Sequence, residues 1–208
     1  MALKRFVLFL VAHLLLTGLI SGAEQRVLFE DTFDEKLGDG WTWLRENTDN
    51  WRIRNGALEI RVEPGKANTV KNALVRQAPD RSKTKFAVEV TMTFNSDPTK
   101  QYEQGGITWY HQKKPVFKLV HEHIDGKNWI IPGRKPAPSK TVQLRLVVDN
   151  TKWTAQFRED CQGEFQTAAT GKLPPPGDDQ LSIQCYDGPP NVDHWIRFDE
   201  FRIVELSD

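Results

Sequence analysis

The sequence predicts an all-β chain folded as an antiparallel two-sheet β-sandwich. Three observations carry that expectation. Apolar and polar residues alternate with period two over long stretches, which puts one face of an extended strand in a core and the other in water. Turn dipeptides punctuate those stretches at short intervals: Asn55-Gly56, Pro64-Gly65, Asp125-Gly126, Pro132-Gly133, Asp149-Asn150 and Asp187-Gly188. No helical periodicity intervenes, so sheets packed face to face are the architecture that buries these strand faces.

Along the chain, the short apolar runs 27–29, 73–75 and 107–110 read as strands, and Leu58, Ile60 and Val62 share the inner face of another. Phe86, Val88, Val90, Met92 and Phe94 make a long one. In 115–124, Phe117, Leu119, His121 and His123 point one way and Lys118, Val120 and Glu122 the other. Val142, Leu144, Leu146 and Val148 define the next strand, and Trp153, Ala155 and Phe157 the one after it. Asn55-Gly56 and Asp149-Asn150 have the composition of tight hairpin turns. Leu181, Ile183 and Cys185 face inward on a further strand. In 195–206 the apolar phase switches between Phe198 and Phe201, the mark of a β-bulge. The Pro-rich stretches 131–140 and 174–177 read as surface loops within one domain.

The 208 residues carry 28 bases and 28 acids, with seven Trp and eleven Phe. Such aromatic content supports a sizeable core and excludes a disordered chain. Zero net charge offers no cationic excess to displace counterions from phosphates, so no nucleic-acid partner is expected. Lys4 and Arg5, the apolar run 6–20 and the closing Ser21-Gly22-Ala23 form the three parts of a secretory signal peptide, residues 1–23. The apolar run is too short to span a bilayer, so no stable membrane insertion is expected once it is removed. The leader takes two of the bases and none of the acids, so the domain at 24–208 has a formal charge of −2. A secreted or periplasmic location makes a Cys161–Cys185 disulfide plausible beside the alternative of two free thiols.

The densest polar-aromatic cluster is Trp41-Thr42-Trp43-Leu44-Arg45-Glu46-Asn47. Sugar recognition needs a flat aromatic face for the C–H side of a pyranose and polar groups for its hydroxyls. Trp43, Trp109 and Trp129 are therefore the candidate stacking residues, with one of Trp41 and Trp43 expected in the core. Arg45, Glu46, Asn47, Lys118 and Glu122 are the candidate hydrogen-bonding residues. Lys118 and Glu122 share a strand face, at most roughly 13 Å apart by strand rise. A metal site on His121 and His123 would need a third ligand from elsewhere, His111 or His194. No other cofactor is expected, but Asp31, Asp34 and Asp199, on the first and last strands, offer the hard oxygens that a structural calcium ion takes, or are simply solvated acids. Glu122 is the leading acid/base candidate should the chain be an enzyme, and no Gly-x-Ser-x-Gly elbow is present.

The segments 41–47 and 51–58, then Gly105-Gly106-Ile107-Thr108-Trp109-Tyr110, Phe117 to Glu122 with Asp125-Gly126, and the closing Phe198-Asp199-Glu200-Phe201-Arg202-Ile203 resemble a known group. They are similar to the concanavalin A-like lectin/glucanase superfamily. Within it, they resemble the domain-of-unknown-function family that includes the yeast regulation-of-enolase protein, and the C-terminal concanavalin-like domain of β-xylosidases. The resemblance implies a jelly-roll sandwich whose concave face often meets carbohydrate, and it carries over no catalytic residues. Glycosidases on this fold often bear Glu-x-Asp-x-Glu or Glu-x-Asp-x-x-Glu on one strand, and neither pattern occurs here. Lyases on a similar fold use a Tyr or His base with cationic or amide neutralisers, for which Tyr110, His121, Lys118 and Arg145 would be the parts. The resulting expectation is an exported, non-catalytic, carbohydrate-recognising domain, with a glycoside hydrolase or polysaccharide lyase as the alternative.

Overall fold

Fifteen strands build the described part of the chain, residues 25–207 of a computed structural model. The expected leader, 1–23, lies outside the described residues. The strands are β1 (Val27–Asp31), β2 (Thr42–Leu44), β3 (Trp51–Ile53), β4 (Leu58–Arg61), β5 (Ala73–Gln77), β6 (Phe86–Phe94), β7 (Gln104–His111) and β8 (Lys114–Ile124). They continue with β9 (Lys127–Ile131), β10 (Lys135–Pro136), β11 (Thr141–Asp149), β12 (Lys152–Arg158), β13 (Gln166–Lys172), β14 (Asp179–Tyr186) and β15 (Trp195–Glu205).

The first sheet runs β13-β12-β11-β6-β15-β4-β3, with β1 also paired to β15, and the second runs β10-β9-β8-β7-β14-β5-β2. Every pairing is antiparallel. The alternating apolar residues of β6 and β11 are buried as their periodicity predicts, and they meet Ile107, Leu119, Leu181 and Ile183 of the second sheet in one core.

The phase switch in β15 has a structural cause. Its first half pairs with β4 and its second half with β1, while β6 runs along both. The register shifts between Asp199 and Arg202, and Glu200 takes a left-handed φ of 50° there. The expected hairpins form at Asn55-Gly56, between β3 and β4, and at Asn150, between β11 and β12. Asp125-Gly126 makes a third tight turn, with φ 53° and 73°, joining β8 to β9. The stretch 131–140, read as loop, contains the two-residue β10.

Cys161 and Cys185 do not form the expected disulfide; both are free. Cys161 is exposed beyond the end of β12, whereas Cys185 is buried on β14 with its Sγ turned toward the Ile60 and Arg61 carbonyls. Placed in an outer loop and in the sandwich interior, the two sulfurs do not meet.

Gly106 of β7 is required by its backbone, at φ 149°. A Cβ there would strike the Leu119 carbonyl and the Val120 Cα of the neighbouring strand. Gly106→Ala should therefore cost about 1–3 kcal/mol, read as a lower urea midpoint. An unchanged midpoint would show that β7 and β8 separate more easily than this packing implies.

Candidate functional site

The site is built on the outer face of the second sheet. Directly opposed residues of neighbouring strands share a face, so the register lines side chains up in rows across the sheet. One row reads Tyr186, Gln104, Glu122, Trp129 across β14, β7, β8 and β9. At about 4.8 Å per strand it spans roughly 14 Å. A second row reads Ser182, Thr108, Lys118. Between them lies Gln184, Gly106, Val120, all three buried.

An outer strand face usually carries solvated charges. Here Gln104, Thr108, Ser182, Gln184, Glu122 and Tyr186 are all buried. Buried polar groups must find partners, and most of these find one another. Lys118 Nζ donates to Gln104 Oε1 (2.7 Å) and to Glu122 Oε2 (2.8 Å), while Gln104 Nε2 reaches Glu122 Oε1 at 3.3 Å. On the β14 side the segment 63–67 covers the face. There the Tyr110 hydroxyl donates to the Ala67 carbonyl (2.7 Å) and lies 2.9 Å from Gln184 Oε1, which also accepts from Ser182 Oγ (3.1 Å).

One group is left over. Thr108, 1% exposed, has its Oγ1 enclosed with no hydrogen-bond partner. It lines a depression of about 300 Å³ together with Lys118, Tyr186, Ala67 and the apolar lip Pro115, Val116 and Phe117. The Lys118 side chain is 34% exposed, so its ammonium is reachable, while Glu122 beneath it is enclosed. Burial pushes the Tyr186 hydroxyl well above the ordinary tyrosine value, reinforced by the negative charges of Glu122 and Asp187. It stays a neutral donor at any physiological pH.

Of the residues singled out in the sequence, the structure brings together Lys118, Glu122 and Trp129. Trp129 is half-buried and donates its Nε1–H to the Ile124 carbonyl (3.1 Å), and the Arg134 guanidinium lies 5.2 Å from its ring centre. It also borders a second depression of about 540 Å³ lined by Pro136, Pro138, His123 and Asn128.

Trp109 is not at the surface: it is fully buried, stacked near Phe86, and its Nε1–H donates to Asp179. It sits on the inner face because it pairs with the core residue Leu181. Trp43 pairs with the core residue Leu74 and packs on Trp51 of the other sheet at 4.8 Å, closing the sandwich edge. Arg45, Glu46 and Asn47 lie at that same edge, and of the three only Arg45 approaches the outer face, beside the Tyr110 hydroxyl. Arg45 donates to the Val70 carbonyl, Glu46 accepts from Trp51 Nε1, and Asn47 caps the short 3₁₀ turn at Thr48–Asn50. Their polar atoms hold the chain's own backbone and indole groups.

The expected calcium ligands have other partners. Asp31 accepts from the Phe33 and Gly38 amides and from Trp41 Nε1, Asp34 from Thr32, and Asp199 from Arg197 and the Glu200 amide. Among the described residues no group of three or more His, Cys, Asp or Glu is placed to hold a metal ion. His121 points into the core, and His111 and His194 are each paired with a carboxylate, so they do not converge on His123.

Sequence reasoning missed Gln104, Thr108, Ser182, Gln184 and Tyr186. A signal existed: the polar face of β14 carries Ser and Gln, short or neutral groups, where a solvated strand face normally carries Lys and Glu.

The sequence profile of the β-xylosidase C-terminal concanavalin A-like domain matches residues 30–174. No curated protein matches the chain. Among solved structures, the GH43 BlXynB protein of Bacillus licheniformis superposes with a TM-score of 0.71 at 19% identity, over 85% of this chain and 39% of that one. A GH43B protein of a Bacteroides ovatus xyloglucan locus gives 0.68 at 18%, over 88% of this chain and 40% of that one. The chain thus spans about two fifths of the length of these two. A functionally unknown protein from Saccharomyces cerevisiae gives 0.53 at 13%, over 81% of this chain and 98% of that one. At such identities the likeness establishes the fold, the concanavalin A-like β-sandwich expected from the sequence.

Proposed function

We propose, from the premise that the chain belongs to the β-xylosidase C-terminal concanavalin A-like domain family, that it binds carbohydrate without cleaving it, on the outer face of the second sheet. The observation that carries this reading is the enclosed polar row beside a depression with one apolar and one polar wall. A pyranose has the same division: C–H groups on its faces and hydroxyls at its rim. Pro115 and Val116 meet the former. Thr108 Oγ1, the Tyr186 hydroxyl and the third N–H of Lys118 meet the latter. Trp129, at the far end of the row, supplies an aromatic surface for a neighbouring sugar unit. The leader-like residues 1–23 would deliver the domain to a secreted or periplasmic setting, where polysaccharide is met.

Cleavage is the weaker reading. Glycoside hydrolysis needs two carboxylates facing across a cleft. Both oxygens of Glu122 are engaged by Lys118 and Gln104, and the nearby Asp187 is held by Lys66 at 3.0 and 3.1 Å.

Lys118→Ala and Trp129→Ala should each weaken glycan binding by about 1–3 kcal/mol, roughly 5- to 150-fold, in isothermal titration against a panel of oligosaccharides. Trp129→Ala should retain the fold because its side chain reaches solvent, whereas Lys118→Ala leaves the enclosed Glu122 without its cation, so urea denaturation of that variant accompanies the titration. Binding untouched by both substitutions would remove this face as the site. Release of reducing ends or unsaturated products, abolished by Glu122→Gln, would replace the reading with an enzymatic one.

A further inference from the structure

Resting on that reading, we propose that Glu122 is a charge filter that restricts the depression beside Lys118 to neutral sugar units and excludes uronates from it. The depression presents one cation, Lys118, among its described lining residues; Thr108 and Tyr186 offer only hydroxyls. Left alone, that ammonium would be a natural partner for the carboxylate of an acidic sugar.

It is not left alone. Two of its three N–H donors are taken, one by Glu122 Oε2 at 2.8 Å and one by Gln104 Oε1 at 2.7 Å. A uronate on the third donor would share the ammonium with Glu122, two carboxylates separated by only a few ångströms. Glu122 is enclosed, so water screens that repulsion weakly, and the repulsion offsets the attraction of Lys118. Asp187, next in the chain to Tyr186, is paired with Lys66 at 3.0 Å, so the two together add no net positive charge.

A neutral hydroxyl meets none of this opposition. It can accept from the third Lys118 N–H and exchange hydrogen bonds with Thr108 Oγ1 and the Tyr186 hydroxyl. Specificity thus comes from a repulsive element built beside the attractive one. The same arrangement counts against a uronate-cleaving lyase, which needs the substrate carboxylate neutralised.

The experiment titrates neutral hexasaccharides of xylan, cellulose and mannan, and hexuronates of mannuronate and galacturonate, into the purified protein and into Glu122→Gln. The unaltered protein should bind at least one neutral hexamer, and every hexuronate at least about tenfold more weakly. Glu122→Gln keeps the shape and one acceptor but frees the Lys118 charge, so hexuronate affinity should rise at least about tenfold and become sensitive to salt. Adding Lys118→Met to Glu122→Gln should abolish that gain. The discrimination by the unaltered protein can be read whether or not the variant folds. Hexuronates bound as tightly as neutral sugars by the unaltered protein would overturn the filter and leave glycan recognition standing. A folded Glu122→Gln variant with no gain would do the same. No binding of either class by either protein would overturn glycan recognition itself.

Discussion

Replacing Asp179 with alanine is expected to destabilise the fold by about 3–5 kcal/mol, the cost of leaving a buried charge without its partner. Asp179 opens β14, and its carboxylate gathers four donors: Arg81 Nε (2.8 Å), His111 Nδ1 (2.9 Å), Trp109 Nε1 (3.1 Å) and the Gly177 amide (3.3 Å). The Arg81 and Asp179 side chains are only 1% and 5% exposed. Burial alone would raise the Asp179 carboxyl, but the bonds from Arg81, His111, Trp109 and Gly177 outweigh it and hold it below the ordinary carboxylate value.

Arg81 also donates to the Asn150 carbonyl (2.6 Å) in the β11–β12 turn and to the Pro174 carbonyl (2.7 Å). One ion pair therefore staples the second sheet to a turn of the first at one end of the sandwich. Without Asp179 the guanidinium keeps two neutral acceptors and no counter-charge, and the Trp109 and His111 donors lose theirs. Equilibrium urea denaturation would read the loss. A double substitution, Arg81→Met with Asp179→Leu, should recover much of it, since a buried pair contributes little net stability over well-packed apolar groups. A loss below about 1 kcal/mol for Asp179→Ala would mean that water reaches the site and screens the orphaned cation.

The elements legible in the sequence are those whose stability comes from burying one strand face. β6, β11 and β12 each carry inner residues at every second position, and the β15 bulge announces itself as a change of apolar phase. β13 has no such pattern: Gln166–Lys172 is mostly small or polar, and this edge strand is held by its backbone pairing with β12. β9 shows no clear pattern either, because Lys127–Ile131 is only five residues long and follows directly on a tight turn. The site was legible in part. Lys118 and Glu122 stand on one face of β8 by simple alternation, but whether that face is wet depends on segment 63–67, whose placement is tertiary. Alternation separates inside from outside; it does not separate a covered polar face from a solvated one. Trp109 and Trp43 went astray for the same reason in reverse. Aromatic residues suit a sugar surface and a core equally well, and the pairing of these two with Leu181 and Leu74 sends both inward.

Acid should weaken this fold through one of its buried histidines, His121. His121 is fully buried on β8, tilted against the Phe94 ring at 5.0 Å, with Nε2 2.9 Å from the Ala137 carbonyl. That contact fixes the tautomer with the proton on Nε2, and Nδ1 is enclosed with no partner. Burial lowers its pKa from 6.5 to about 4; the Ala137 carbonyl opposes the shift and His123 adds a little to it. In the unfolded chain His121 takes a proton near pH 6.5, and in the folded protein only near pH 4. Between those values the unfolded state binds the extra proton, so stability is fully present above pH 6.5 and declines as the pH falls. The total from this residue is roughly 3 kcal/mol, about 2 of it gone by pH 5, and the decline ends below pH 4. Acidic side chains contribute their own slope at lower pH, so the informative quantity is a difference. His121→Gln keeps a donor for the Ala137 carbonyl but cannot titrate, so its stability curve should run flatter than that of the unaltered protein between pH 6.5 and 4. Parallel curves for the two proteins in urea titrations across that range would show that His121 is protonated inside the fold without penalty, and that the core beneath β8 admits water.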